Sequence, residues 1–223
     1  MSTGTKHTLT AFDDDMDEIR GLIAEMGARA EAAVVAAMKA LREYDSDLAV
    51  KTRAEDKIID HLETEVERLV VRTIALRAPM ADDLRELIAA LKMSAVIERI
   101  GDYAKNIAKR VPQMDGKVAL TGSEQLSRMG EIVVEMIRNA MDAYAKRDID
   151  LARAVSVRDD DVDQINKDLF VDFVAYVVKN PKNATDVAHL LFTAKNLERI
   201  GDHTTTVAQM IYFTETGENL PDA

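Results

Sequence analysis

The sequence predicts an all-α protein of two similar three-helix bundles, six long helices in all, and three observations predict it. Ala, Leu, Val, Ile, Met and charged residues dominate, while aromatics make up only 4% and Trp is absent. That is the balance of long packed helices rather than of β-sandwiches. Apolar residues recur at three- and four-residue steps, the period of a helix face turned to a core. The second half of the chain then restates the first.

At 223 residues and 47% hydrophobic, the chain can bury an ordinary core. Nine glycines and four prolines leave few places to turn. From Leu9 to about Tyr44 a stripe of Ile19, Leu22, Ile23, Met26, Ala30, Val34, Ala37, Met38 and Leu41 predicts one long first helix. Tyr44-Asp45-Ser46-Asp47 supplies the stop and the N-cap chemistry for a second. That helix continues through Ile59, Leu62, Val66, Leu69, Val70 and Ile74. Pro79 is expected to end it and to open the third, which runs through Leu87, Leu91, Ile97, Ile100 and Ile107 to Val111-Pro112. Helices of about 30 residues would each be about 45 Å long.

The stretch from Gln113 to Gly122 loses periodicity and holds two glycines, so the boundary falls there, with domains expected at 1–113 and 114–223. Then the pattern restarts. Ser123 to Lys146, Ile149 to Lys179 and Lys182 to about Thr214 read as the fourth, fifth and sixth helices, with Asn180-Pro181 punctuating the last pair. Glu98-Arg99-Ile100-Gly101-Asp102 returns as Glu198-Arg199-Ile200-Gly201-Asp202, a shift from 98 to 198 of 100 positions. Ala37-Met38 returns as Ala140-Met141, and Asp56 and Asp60 return as Asp159 and Asp163, a shift from 56 to 159 of 103 positions. Such self-similarity marks a duplicated structural unit.

Four acidic pairs stand out: Asp56 with Asp60, Glu98 with Asp102, Asp159 with Asp163, and Glu198 with Asp202. Residues four apart lie one turn above each other on a helix, where like charges repel by a few tenths of a kcal/mol. Gly101 and Gly201 sit inside two of these pairs, although Gly within a helix costs roughly 1 kcal/mol relative to Ala. A missing side chain there lets another helix or a ligand approach the backbone. A multivalent cation bridging acids of two neighbouring helices would convert repulsion into coordination, with up to eight carboxylate oxygens per bundle. All-oxygen ligation suits hard divalent or trivalent ions such as Mg, Mn, Ca or Fe(III). Spacing alone leaves a second reading open, that the pairs are parts of solvated acidic faces. Arg99 and Arg199 likewise read either as partners of the acids or as surface residues with apolar stems, and His203 as an ordinary helix residue or an aid to a metal site.

With 29 basic against 40 acidic residues the net charge is −11, a field that repels nucleic acid and anionic lipid. The absence of cysteine excludes thiol chemistry and fits a reducing, cytoplasmic location. The amino-terminal residues lack the layout of a signal peptide, and no apolar run approaches the roughly 20 residues of a membrane span, so any membrane association is expected through partners. There is no phosphate-binding Gly-rich loop, no nucleophile elbow and no Glu-x-x-His pair.

His7-Thr8-Leu9-Thr10-Ala11-Phe12-Asp13, Pro79-Met80-Ala81-Asp82-Asp83-Leu84-Arg85, the doubled Glu-Arg-Ile-Gly-Asp motif and Thr216-Gly217-Glu218 together resemble the PhoU family over essentially the whole chain. The resemblance implies two three-helix bundles and metal clusters held by Asp56, Asp60, Glu98 and Asp102 in the first half and by Asp159, Asp163, Glu198 and Asp202 in the second. It also implies a non-enzymatic negative regulator of the phosphate-starvation response. Its expected partners are the ATPase subunit of the phosphate ABC transporter and the phosphate-sensing histidine kinase; the long amphipathic helices and 11 Met residues separately suggest a homodimer. A metal-dependent phosphohydrolase using the same acids is the alternative. The second half departs from the pattern at Asn180 to Asp186 and at Thr206, where the first half has Asn106, so the two halves need not be equivalent.

Overall fold

The chain runs as α1 (Gly4–Glu43), α2 (Ser46–Arg77), α3 (Asp82–Ala108), α4 (Ser123–Lys146), α5 (Ile149–Lys179) and α6 (Ala184–Thr216). This computed structural model describes residues 4–114 and 123–221, with side chains from residue 11 to 114 and 124 to 221. No strand occurs among the described residues. Most of the expected junction between the halves, residues 115–122, lies outside them.

Each half folds the same way for the same local reasons. Tyr44, at φ 53°, and Arg147, at φ 54°, take the left-handed conformation that stops a helix. The next residue in each case is an aspartate that starts the following helix. Asp45 accepts from the backbone N–H of Leu48 at 2.9 Å, and Asp148 from those of Asp150 and Leu151 at 3.0 Å. The turn at Pro79 differs from the expectation. Ala78, with φ 46°, closes α2 by donating to the Ile74 carbonyl at 3.1 Å, and α3 begins only at Asp82. Two alanines with positive φ, Ala78 at 46° and Ala81 at 52°, therefore make the corner around Pro79, which opens nothing. In the second half a 3-10 turn over Pro181–Asn183 precedes α6.

Helices α1, α2 and α3 pack on one another, as do α4, α5 and α6, which gives the two three-helix bundles. The bundles also join broadly, α3 lying on α6 and α1 on α4, so the buried residues of both halves form one continuous apolar core. A reciprocal contact locks α1 to α4. Met141 of α4 fills the notch above Gly27 of α1, and Met38 of α1 fills the notch above Gly130 of α4. Both the notch and the knob repeat at the 103-residue shift, from 27 to 130 and from 38 to 141. Glu86 of α3 adds a polar tie, receiving Arg20 of α1 at 2.6 Å and Arg147 beyond α4 at 3.3 Å. Among the described residues no helix is long and apolar enough to cross a membrane.

Candidate metal centres

The acidic pairs lie on two seams, one between α2 and α3 and one between α5 and α6. Glycine sets how close those helices come. A Cβ at Gly101 would stand 2.8 Å from Ile59 Cδ1 and 3.7 Å from Asp56 Oδ1, and one at Gly201 would stand 2.5 Å from Asp159 Oδ1. Removing the side chain thus lets α2 and α5 bring an aspartate down onto the backbone of α3 and α6.

In the first seam Asp56, only 5% exposed, faces Asp102, and Asp60 and Glu98 lie within range of both. Burial pushes the Glu98 carboxyl up to about 7, helped by the charges of Asp102, Glu63, Asp60 and Asp56. Asp60 is raised too, by burial and then by Asp56, with Lys105 opposing. Lys105 of α3 enters the cluster itself: its Nζ donates to Asp56 Oδ2 at 2.6 Å and to Asp102 Oδ1 at 2.7 Å. Asp56 Oδ1 remains buried with no hydrogen-bond partner.

The second seam repeats the acids but not the lysine. Burial pushes Asp159 up to about 6, with Asp202, Asp163 and Glu198 adding and the nearby Thr205 hydroxyl pulling back. Thr205 does not reach hydrogen-bonding geometry, since Thr205 Oγ1 and Asp159 Oδ1 are both buried without a partner. Asp202 is raised by burial and then by Glu198 and Asp163, against Lys195 and Arg199. Glu198, 14% exposed, pairs with Lys195 of its own helix at 2.5 Å, and Asp163 lies 3.8 Å from Lys167 on an exposed face.

Each seam thus gathers carboxylates whose charges raise the proton affinity of Asp60 and Glu98 in one half and of Asp159 and Asp202 in the other. Among the described residues, however, no group of three or more Asp, Glu or His side chains is drawn tightly enough to hold a metal ion as it stands. Lys105 between two of the acids is one physical reason. Sequence reasoning missed Lys105, Lys195 and Glu63, although the i to i+3 spacings of Asp102 with Lys105 and of Lys195 with Glu198 were there to be seen. His203 turns away from the acids to stack on Tyr103. Arg199 lies over the same Tyr103 ring at 5.7 Å while opposing the rise of the Asp202 carboxyl.

The PhoU domain model matches residues 23–111 and again 126–211. The chain is 47% identical over 216 residues to the phosphate-specific transport system accessory protein PhoU homolog of Zymomonas mobilis, covering 97% of this chain and 91% of the relative. It is 41% identical over 219 residues to the protein of that name from Caulobacter vibrioides, covering 97% and 94%. The crystal structure of PhoU from Pseudomonas aeruginosa superimposes with a TM-score of 0.90 at 32% identity, covering 93% of this chain and all of that one. The PhoU structure from Streptococcus pneumoniae, at 24% identity and a TM-score of 0.88, shares the fold. With two helical repeats, a doubled acidic motif and whole-length kinship, the chain belongs to the PhoU family.

Proposed function

We propose that the protein is a non-enzymatic regulator of phosphate transport whose two acidic seams hold hard metal ions. The observation that carries the regulatory reading is kinship along 97% of the chain with a phosphate-specific transport system accessory protein. On that reading it links the ATPase subunit of the phosphate ABC transporter to the phosphate-sensing histidine kinase, works in the cytoplasm as a homodimer, and represses the phosphate-starvation response when phosphate is plentiful. Supporting the metal reading are the carboxylates raised by burial and by one another, and the orphaned, buried Asp56 Oδ1. A carboxylate-only donor set suits Mg, Mn or Fe, with Asp56, Asp60, Glu98 and Asp102 the donors in one half and Asp159, Asp163, Glu198 and Asp202 in the other. A bound ion would supply positive charge that neutralises the seam.

Two measurements test this. Deleting the gene should derepress phosphate-starvation genes in phosphate-rich medium, and unchanged repression sinks the regulatory reading. Elemental analysis of the purified protein should find metal that is missing from a variant with Glu98, Asp102, Glu198 and Asp202 changed to Ala. Equal metal content in the two proteins sinks the metal reading.

A further inference from the structure

We infer that the face where α3 and α6 lie side by side is a docking groove for an acidic amphipathic helix of a partner protein. The inference deepens the regulatory reading, which requires such a face, and does not depend on metal in the seams. The two helices run in opposite directions here and meet at three levels. At one end the Arg110 guanidinium lies 4.3 Å over the ring of Phe192, an exposed aromatic. Midway, Tyr103 stacks on His203 with Arg199 above the Tyr103 ring, and burial and then the charges of Arg99 and Arg199 lower the His203 pKa. Toward the other end Ile88, Lys92, Met210 and Phe213 help to line a cavity of about 260 Å³ between the helices. From position 88 to position 110 is 22 residues, which at about 1.5 Å each makes the face about 33 Å long, the length of a helix of about six turns.

Charge sets the kind of partner. The chain has 40 acidic against 29 basic residues, yet no residue in these contacts or lining the cavity is acidic. Lys92, Arg99, Arg110 and Arg199 form no ion pair with any described residue. Arg99 and Arg199 only moderate Glu63 and Asp202 from beyond ion-pair range. Arg110 Nε is buried with no hydrogen-bond partner, a desolvated cationic donor that a carboxylate would satisfy with a charge-assisted bond. Exposed apolar side chains stand at both ends, Ile88 and Phe213 at one and Phe192 at the other. The net charge of −11 opposes nucleic acid and anionic lipid at long range. A helix whose carboxylates meet the unpaired cations and whose apolar side chains seat at the two ends matches the face in both charge and length.

The probe is a fluorescein-labelled synthetic helix of about six turns, with Glu at three- and four-residue steps and Phe near each end, titrated with the full-length protein by fluorescence anisotropy. It should bind, and the same peptide with every Glu changed to Gln should bind about tenfold more weakly or worse. Lys92→Gln with Arg199→Gln should weaken the Glu peptide about tenfold or more. Lys51→Gln with Lys182→Gln, which removes two cations outside the groove, should change nothing. All four residues are exposed, and circular dichroism checks that each variant keeps its helix. The Gln peptide needs no change to the protein and decides alone should a variant unfold. No binding of the Glu peptide, equal binding of the Gln peptide, or an equal loss in the Lys51 and Lys182 variant overturns the inference. Displacement of the peptide by phosphatidylglycerol vesicles or by duplex DNA overturns it as well, by making the face a general anion surface, and so does loss of the site on self-association, by giving the face to a second copy. All of these leave the regulatory reading standing, which the gene deletion tests separately.

Discussion

Tyr103 of α3 stacks on His203 of α6, ring centroids 5.4 Å apart and planes 28° from parallel. The two residues occupy the same position of the two repeats, 103 and 203, so the pair marks the place where the halves of the molecule meet face to face. Offset stacking adds about 0.5–1.5 kcal/mol beyond area burial. Tyr103→Ala should lower stability by about 1–3 kcal/mol in urea unfolding, whereas Tyr103→Phe, which keeps the ring, should stay near wild type.

Glu98 and Asp159, pushed up to about 7 and about 6, keep protons in the folded, metal-free protein where the unfolded chain has released them. The stability this confers is complete below the ordinary carboxyl values of 4.5 and 3.8 and is lost as pH rises through 6 and 7. His203 acts in the opposite sense: burial and then Arg99 and Arg199 lower its pKa, so its contribution is present above 6.5 and lost on acidification. In chelator, unfolding free energies at about pH 5.5 and about pH 8 should show a Glu98→Gln, Asp159→Asn double variant gaining on the wild type as pH rises. A difference independent of pH would contradict this.

The two helical glycines should respond unequally to alanine. Alanine gains about 1 kcal/mol in helix propensity. At Gly201 its Cβ meets Asp159 Oδ1 at 2.5 Å, a buried atom on a short side chain, so net destabilisation by about 1–2 kcal/mol is expected. At Gly101 the obstacle is the far end of Ile59 at 2.8 Å, which can rotate aside, and the melting temperature should move much less.

Gly27→Val should act at a distance from both seams. The added side chain takes the space of Met141, and overpacking of this kind costs about 1–3 kcal/mol. A compensating Met141→Ala should recover part of the loss in thermal melts. If the double variant is no better than the single, the Met-on-Gly contact is not what holds α1 to α4.

Gly217→Ala tests the end of α6. Gly217 is left-handed at φ 74°, and Arg85 Nη1 would lie 3.2 Å from an added Cβ; Arg85 itself donates to the Thr214 carbonyl at 3.0 Å. A loss of about 1–2 kcal/mol is expected from the backbone strain, read as earlier amide exchange at the end of α6.

Much of this architecture was legible because it rests on period. The stripe from Ile19 to Leu41 is buried in α1 nearly as a helix wheel places it, and the capping aspartates Asp45 and Asp148 do what their residue type suits them for. The corner at Ala78 and Ala81 was not legible, since alanine carries no signal for a positive φ. In the seams, the four-residue acidic spacing and the internal glycines were readable from the chain. The spacing of Lys105 from Asp102 was readable too, but its reach to Asp56 was not, because where a long flexible side chain ends depends on which helix lies opposite. The same residue type at Lys195 stays on its own helix.

Helices α1, α3, α4 and α6 form the inner slab that joins the halves, and α2 and α5 lie outside it, each resting mainly on two helices of its own bundle. The acidic seams run along the inner edges of those outermost rods. Any gain or loss of charge there is therefore felt first by the two elements least anchored to the rest.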